Sequence, residues 1–424
     1  MSLFEELEGA AKGGDPIALY NLAILYARGE EGVEQDFAVA KKLFEQAAQL
    51  GQVDAEYNLG VLYDTGKGVR QDSHIALTWY EKAALHGNAD AQYNLGVMYS
   101  NGEGIEQNFT LAAKWYEKAA QQGHAGAQNN LGTMYVNGTG VPRDPALARS
   151  WYKKAAELHF PGALNNLGYL YHTGNGVEQD FALAKTYYEK AVALGNADAL
   201  FNLGDLYREG KGVAKDFALA IDFYEKAAAK GVAEALTMLG TIYFTGNEVQ
   251  QNLAMAKDYF DKAAIQGNSR AQVFLGNMYK LGLGVEKNLP IAKEWFQIAA
   301  MRGNADAQFE LGIMYTNGCV VEKDYRMARK WYEKAARQGN AAAQYCFALL
   351  YFNGQDVSQD YAYAKEWFEK AAQQDFPEAQ FFLGFMYENG TGVKKNMQIA
   401  KDWYQMACQN GYKDACQKLE TLSD

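Results

Sequence analysis

Five histidines, His74, His86, His124, His159 and His172, are the side chains best suited to hold a metal or move a proton, but they recur at no common spacing. No metal cluster or cofactor follows from them. Four cysteines, Cys319, Cys346, Cys408 and Cys416, are too few to staple a chain of 424 residues. Cys408 and Cys416 flank the last turn within reach of each other, yet all four are read as free thiols without implying an oxidising compartment. The segments Gly102-Glu103-Gly104 and Gly390-Thr391-Gly392 have the look of phosphate loops. They follow helical rather than strand patterns, lack a third glycine and recur as turns, so they are structural. Walker A, His-Glu-x2-His, Cys-x2-Cys and Gly-x-Ser-x-Gly patterns are all missing from the sequence. The chain is therefore expected to carry no catalytic or metal site.

What positions these residues is a repeat. A Leu-Gly register falls at Ala23, Gly60, Gly96, Gly132, Gly168, Gly204, Gly240, Gly276, Gly312, Ala348 and Gly384, with a first interval of 37 residues and nine of 36. Each period reads as two helices of about 13 residues. In residues 88–123, Asn88 caps helix A, which buries Ala91, Leu95, Met98 and Tyr99 and ends at Gly102. Asn108 caps helix B, which buries Ala112, Trp115, Tyr116, Ala119 and Ala120 and closes at Gly123.

Eleven copies report on one environment. Asp or Asn caps helix B from Asp36 to Asn396, Tyr precedes the helix A glycine by three residues from Tyr26 to Tyr387, and Ala recurs in helix B from Ala40 to Ala400. All seven tryptophans share one helix B position and read as core. Glycine inside helix A costs about 1 kcal/mol against alanine, so its retention implies a tight helix contact. Gly96→Leu is expected to destabilise and Gly96→Ala to be milder, as Ala23 and Ala348 suggest.

Composition agrees: 49% hydrophobic, 13% aromatic and 21% charged residues describe a folded chain. A net charge of -11 makes nucleic acid and anionic membranes poor partners. No stretch is long and apolar enough to insert in a membrane.

The recurring Ala-x2-Asn-Leu-Gly-x2-Tyr-x2-Gly-x-Gly-Val-x2-Asp-x3-Ala-x2-Trp-Tyr-x2-Ala-Ala-x2-Gly resembles the Sel1-like repeat, a relative of the tetratricopeptide repeat. The resemblance implies an all-α, right-handed α-solenoid superhelix of about eleven helix-turn-helix repeats, with helix A on the concave side. It also implies an adaptor or scaffold rather than an enzyme. Residues 1–17 read as an incomplete helix B, 18–411 as eleven repeats and 412–424 as a capping helix, Ala415 and Leu419 being buried. The second loop glycine becomes Glu248, Val320 and Asp356, and these loops are expected to be reshaped. His159 and Asp375 replace the glycine after helix B and mark a variant turn.

Binding is expected in the groove lined by helix A, on residues facing neither their own helix B nor the next repeat. Three residues before the glycine stand Tyr20, Tyr57, Tyr93, Asn129, Asn165, Phe201, Thr237, Val273, Phe309, Tyr345 and Phe381. Beside them run Asn21, Asn58, Asn94, Asn130, Asn166 and Asn202, which give way to Met238, Phe274, Glu310, Cys346 and Phe382. The six amides either grip an extended peptide backbone or bond neighbouring backbone between repeats. Toward the C-terminus Leu349, Phe352 and Phe385 join Tyr345, Phe381 and Phe382 in an aromatic cluster that anchors hydrophobic side chains.

The function expected is non-enzymatic binding of a peptide segment or partner protein, by a monomer or weakly self-associating chain. The alternatives are a regulatory subunit positioning a catalytic partner and an exported host-protein-binding factor; a hydrolase hidden in the groove would need a catalytic set that spacing does not show. As written the chain reads as cytoplasmic. Periplasm or secretion follows if an N-terminal signal has been removed, which the incomplete first helix B suggests.

Overall fold

The computed structural model describes residues 3–247 and 249–422. The second-glycine variant Glu248 lies outside them. Among the described residues the secondary structure is entirely helical, and the chain divides into two compact units, residues 1–223 and 224–424.

The first unit contains α1 (Leu3–Lys12), α2 (Pro16–Arg28), α3 (Phe37–Gln49), α4 (Val53–Thr65), α5 (Ser73–Leu85), α6 (Ala89–Asn101), α7 (Phe109–Gln121), α8 (Ala125–Asn137), α9 (Pro145–Glu157), α10 (Pro161–Thr173), α11 (Phe181–Ala193) and α12 (Ala197–Glu209). The division falls within α13 (Phe217–Ala229). The second unit continues with α14 (Ala233–Thr245), α15 (Leu253–Ile265), α16 (Ser269–Leu281), α17 (Leu289–Met301), α18 (Ala305–Asn317), α19 (Tyr325–Arg337), α20 (Ala341–Asn353), α21 (Tyr361–Ala372), α22 (Pro377–Asn389), α23 (Met397–Gln409) and α24 (Lys413–Thr421). From α2 onward, even-numbered helices are helix A and odd-numbered ones helix B.

Helix boundaries follow from side-chain chemistry. Asn88 Oδ1 accepts from Ala91 N at 2.8 Å and Asn108 Oδ1 from Leu111 N at 3.0 Å, each satisfying an orphan N–H worth about 1 kcal/mol. Gly102 takes φ 77° and its N–H closes onto Met98 O. The tyrosine three residues earlier accepts from the next cap residue: Asn108 N donates to Tyr99 O at 2.8 Å, and Asn396 N to Tyr387 O at 2.9 Å. The recurring tyrosine thus closes the interhelix loop through its carbonyl.

The helix A glycine makes room for a ring. A Cβ on Gly96 would stand 2.5 Å from the Tyr116 ring, and one on Gly312 2.4 Å from Tyr332. Tyr116 and Tyr332 are buried, so neither ring can swing into solvent. Even a methyl group therefore forces movement at Gly96, so Gly96→Ala carries a cost of its own, smaller than that of Gly96→Leu. Around these rings Ala40, Ala112 and Ala400 have no exposed surface, which lets paired helices approach.

The tryptophans correct a simple core assignment. Trp367 is buried, but Trp79, Trp115, Trp151, Trp295, Trp331 and Trp403 are only half-buried. Trp115 and Trp151 pack against the cluster of the preceding repeat, while a lysine three residues on covers the ring, Lys118 at 4.0 Å and Lys154 at 4.1 Å. Two described loop variants also keep their shape. Val320 and Asp356 hold φ 67° and 60°, close to the 70° of Gly104, so those loops retain the left-handed turn instead of being reshaped. His159 and Asp375, both at φ 57°, likewise remain left-handed where Gly123 has 90°.

At the C-terminus Cys408 on α23 and Cys416 on α24 form a disulfide, which overturns the reading of four free thiols; Cys319 and Cys346 are free. The turn after α23 brings their Cα atoms to 4.9 Å, within bonding range. Ala415 is buried, and half-buried Leu419 packs on the same terminal cluster.

Candidate functional site

In the first unit Tyr20, Tyr57 and Tyr93, which sequence reasoning placed on the open face, pack on their own helix B. Ring centroids lie 5.9 Å apart in Tyr20–Phe44, Tyr57–Tyr80 and Tyr93–Tyr116. Burial raises the Tyr57 phenol above its ordinary range, Asn94 opposing it by hydrogen bonding. Tyr116 is pushed up to about 12 by burial, against a hydrogen bond from Asn130.

Two of the six ladder asparagines bond between repeats. Asn166 Nδ2 donates to Asn129 Oδ1 at 2.9 Å, and Asn202 Nδ2 to Asn165 Oδ1 at 2.8 Å. Asn58 donates to its own helix at Asp54 O, 2.8 Å away. Partners across repeats are side chains of the preceding helix A, not backbone as one reading expected. Asn21, at the start of the ladder, is exposed, whereas Asn58, Asn94, Asn130, Asn166 and Asn202 are half-buried, as is Phe201.

The open surface of helix A in the first unit lies one residue beyond the glycine. Tyr93 and Asn130 line a cavity of about 420 Å³ together with Val97, Ser100 and Thr133. Val97 and Thr133 were missed by sequence reasoning, and so was Tyr169, 51% exposed at the same register. The signal was available, because Leu349 and Phe385 occupy that register too.

In the second unit the aromatic cluster is real and largely self-packed. Phe382 meets Tyr345 at 5.7 Å, Phe352 at 5.9 Å and Phe385 at 6.4 Å between ring centroids. Tyr345–Phe382 repeats the 37-residue step of Asn129–Asn166, with rings where the first unit uses amides. Phe381 stacks toward Tyr404 and Tyr412, and Phe309 toward Tyr332. Phe385, 38% exposed, carries the cluster to the surface beside half-buried Leu349. Cys346 is free, and burial pushes its thiol up to about 11, against the hydrogen bond of Tyr332, so it is no ready nucleophile.

Three of the five histidines take part in structural contacts. His124 Nδ1 accepts from Ala127 N at 3.0 Å and its ring stacks on Tyr93. His86 Nδ1 lies 2.7 Å from Glu56 Oε2, and burial lowers His172 beside Tyr188. No group of three His, Cys, Asp or Glu residues among those described is placed to hold a metal. No described helix is long and apolar enough to cross a membrane.

Sequence reasoning also missed a polar clasp. Gln92 Nε2 donates to Ala84 O at 3.1 Å, and its Oε1 accepts from Gln122 Nε2 at 2.8 Å. One buried amide thus ties three successive helices. The same clasp recurs as Gln308–Gln338 and Gln344–Gln374 at 2.8 Å.

Tandem helical pairs with shared inter-repeat contacts define an all-α solenoid of the tetratricopeptide-like class, and such proteins generally mediate protein–protein interactions. The chain belongs to the Sel1 repeat family, whose profile matches eleven consecutive segments from 16–52 to 377–412. It is similar to c5321, a protective antigen of uropathogenic Escherichia coli with the SLR fold, at 35% identity and TM-score 0.58 over 99% of this chain and 90% of that one. A Sel1 repeat protein from Oxalobacter formigenes is 32% identical, with TM-score 0.55 over 73% of this chain and 90% of the other. No curated protein gives a significant match.

Proposed function

We propose that this chain is a non-enzymatic adaptor that holds a peptide segment or partner protein on its helix A face. The observation that carries the reading is the ring cluster of Tyr345, Phe352, Phe382 and Phe385, which reaches the surface at Phe385. Aromatic anchors in contact with one another offer a large apolar area with little side-chain freedom to lose on binding. Family membership supports it, because Sel1 repeat scaffolds are generally non-catalytic.

The inner rings are packing and the outer register is contact surface. Leu349→Ala/Phe385→Ala should remove binding without unfolding the chain, whereas Phe382→Ala should cost stability. Capture from a lysate of the source cells, quantified by mass spectrometry, tests this. A partner enriched equally by parent and the Leu349→Ala/Phe385→Ala variant would move the site elsewhere.

The Cys408–Cys416 bond favours an oxidising compartment over the cytoplasm that the sequence suggested. Thiol alkylation before denaturation of protein taken from its native cells tests this: labelling at both cysteines would place the chain in a reducing compartment.

A further inference from the structure

In the first unit, α9, α10 and α11 line an open cavity of about 610 Å³ that shares no residue with the Tyr93–Asn130 cavity. Its floor is Leu164, Leu167 and Tyr187, and Lys153, Glu157, His159 and Lys190 stand around the mouth.

The cavity lies where four repeat positions depart from pattern together. Leu164 and Leu194 occupy the places held by Gln92 and Gln122 in the buried amide clasp, so the polar tie is replaced by apolar surface. Tyr187 stands where Trp115 and Trp151 pack against the preceding repeat, and the smaller ring leaves space. Lys153 occupies the helix B position that is acidic in eight copies, such as Glu81, Glu117 and Glu189, and glutamine in the other two, Gln297 and Gln405. Beside it Lys190 lies over the Tyr187 ring at 5.9 Å.

Each departure changes the site in a compatible direction: the interior becomes apolar and roomy, and its rim gains a cation where the repeat otherwise places an acid. We infer that this cavity binds a small amphipathic acid, its apolar body on Leu164, Leu167 and Tyr187 and its anionic head between Lys153 and Lys190. The volume suits such a ligand, since small-molecule sites span about 300–1,000 Å³ with few polar groups at defined places. With Lys153 in place of the usual acid, the rim carries the two cations Lys153 and Lys190 against the single carboxylate Glu157, a locally favourable field for an anion.

The test uses decanoate below its micellar concentration, titrated calorimetrically into the full chain, with decyltrimethylammonium as the cation of matched chain length. Two variants restore what other copies carry and so preserve the helices: Tyr187→Trp fills the space, and Lys153→Glu returns the acid. Circular dichroism confirms their fold. Decanoate should bind the parent at one site per chain, at least tenfold more tightly than decyltrimethylammonium, and each variant should weaken it at least tenfold. The inference is overturned by no decanoate binding up to millimolar concentration, by equal binding of the cation, or by undiminished binding in either folded variant.

Discussion

His86 Nδ1 meets Glu56 Oε2 at 2.7 Å across thirty residues, where other repeat interfaces join two neutral amides, Gln92 to Gln122 and Gln308 to Gln338. The Glu56 side chain is 6% exposed and that of His86 55%, so the carboxylate depends on this pairing more than the imidazole does. His86→Ala leaves a buried acceptor without its donor, at a cost of about 1–3 kcal/mol. Glu56→Gln/His86→Gln recreates the amide clasp and should recover most of it. Chemical denaturation of parent, single and double variants measures both; a double variant no more stable than His86→Ala would show that the clasp geometry is not transferable.

Gly96 and Tyr116 define the intrahelix-pair contact, with 2.5 Å between an added Cβ and the ring. Gly96→Ala should destabilise by about 1–3 kcal/mol through overpacking and Gly96→Leu by more. Melting temperatures decide: an alanine variant indistinguishable from the parent would mean that the helices shift apart freely, as a close-packed pair does not.

Val320 holds φ 67° although its side chain branches at Cβ, and it is largely exposed. Val320→Gly should stabilise by about 1 kcal/mol, because the left-handed conformation costs an L-residue about 1–2 kcal/mol and little burial is lost. A denaturation midpoint unchanged or lowered would contradict this.

The terminal helix α24 is held by the Cys408–Cys416 bond and by Glu388, which accepts from the Tyr404 hydroxyl at 2.6 Å and pairs with Lys418 at 2.9 Å. Closing so short a loop stabilises by about 2–3 kcal/mol on the chain-entropy account. Cys408→Ser/Cys416→Ser should therefore loosen α24, seen as faster amide exchange over residues 413–421.

Burial pushes the Glu388 carboxyl up, but Tyr404 and Lys418 outweigh it and hold the group below its ordinary range. A depressed folded-state value means that this contribution is complete above the ordinary carboxylate range and lost as pH falls through the lowered one. The stability difference between parent and Glu388→Gln should shrink as pH is taken from 7 toward 3. A constant difference would assign Glu388 a role independent of its charge.

The helices, caps and repeat length were legible because each rests on local chemistry: Asn108 caps the same way in any context, and Gly102 ends a helix by its own backbone freedom. What escaped notice lies between repeats. The Asn166–Asn129 bond and the Gln122–Gln92 clasp join residues 37 and 30 positions apart, a register that depends on how one helix pair settles on the next. Glutamine stands at the register of Gln92 in six of the eleven copies, but that recurrence does not show what it holds. For the same reason Tyr345 and Phe382 were placed on an open face when each spends its ring on a neighbour. The disulfide was misjudged because its formation depends on the turn at Gly411, which brings α24 back onto α23.

Photo-crosslinking decides whether a partner binds on the helix A face. A benzoylphenylalanine side chain is placed at Phe385 or, as a control, at Met301, which is 81% exposed on helix B. One discrete protein adduct is expected from position 385 and none from 301. The same adduct from 301 with none from 385 would contradict binding on that face.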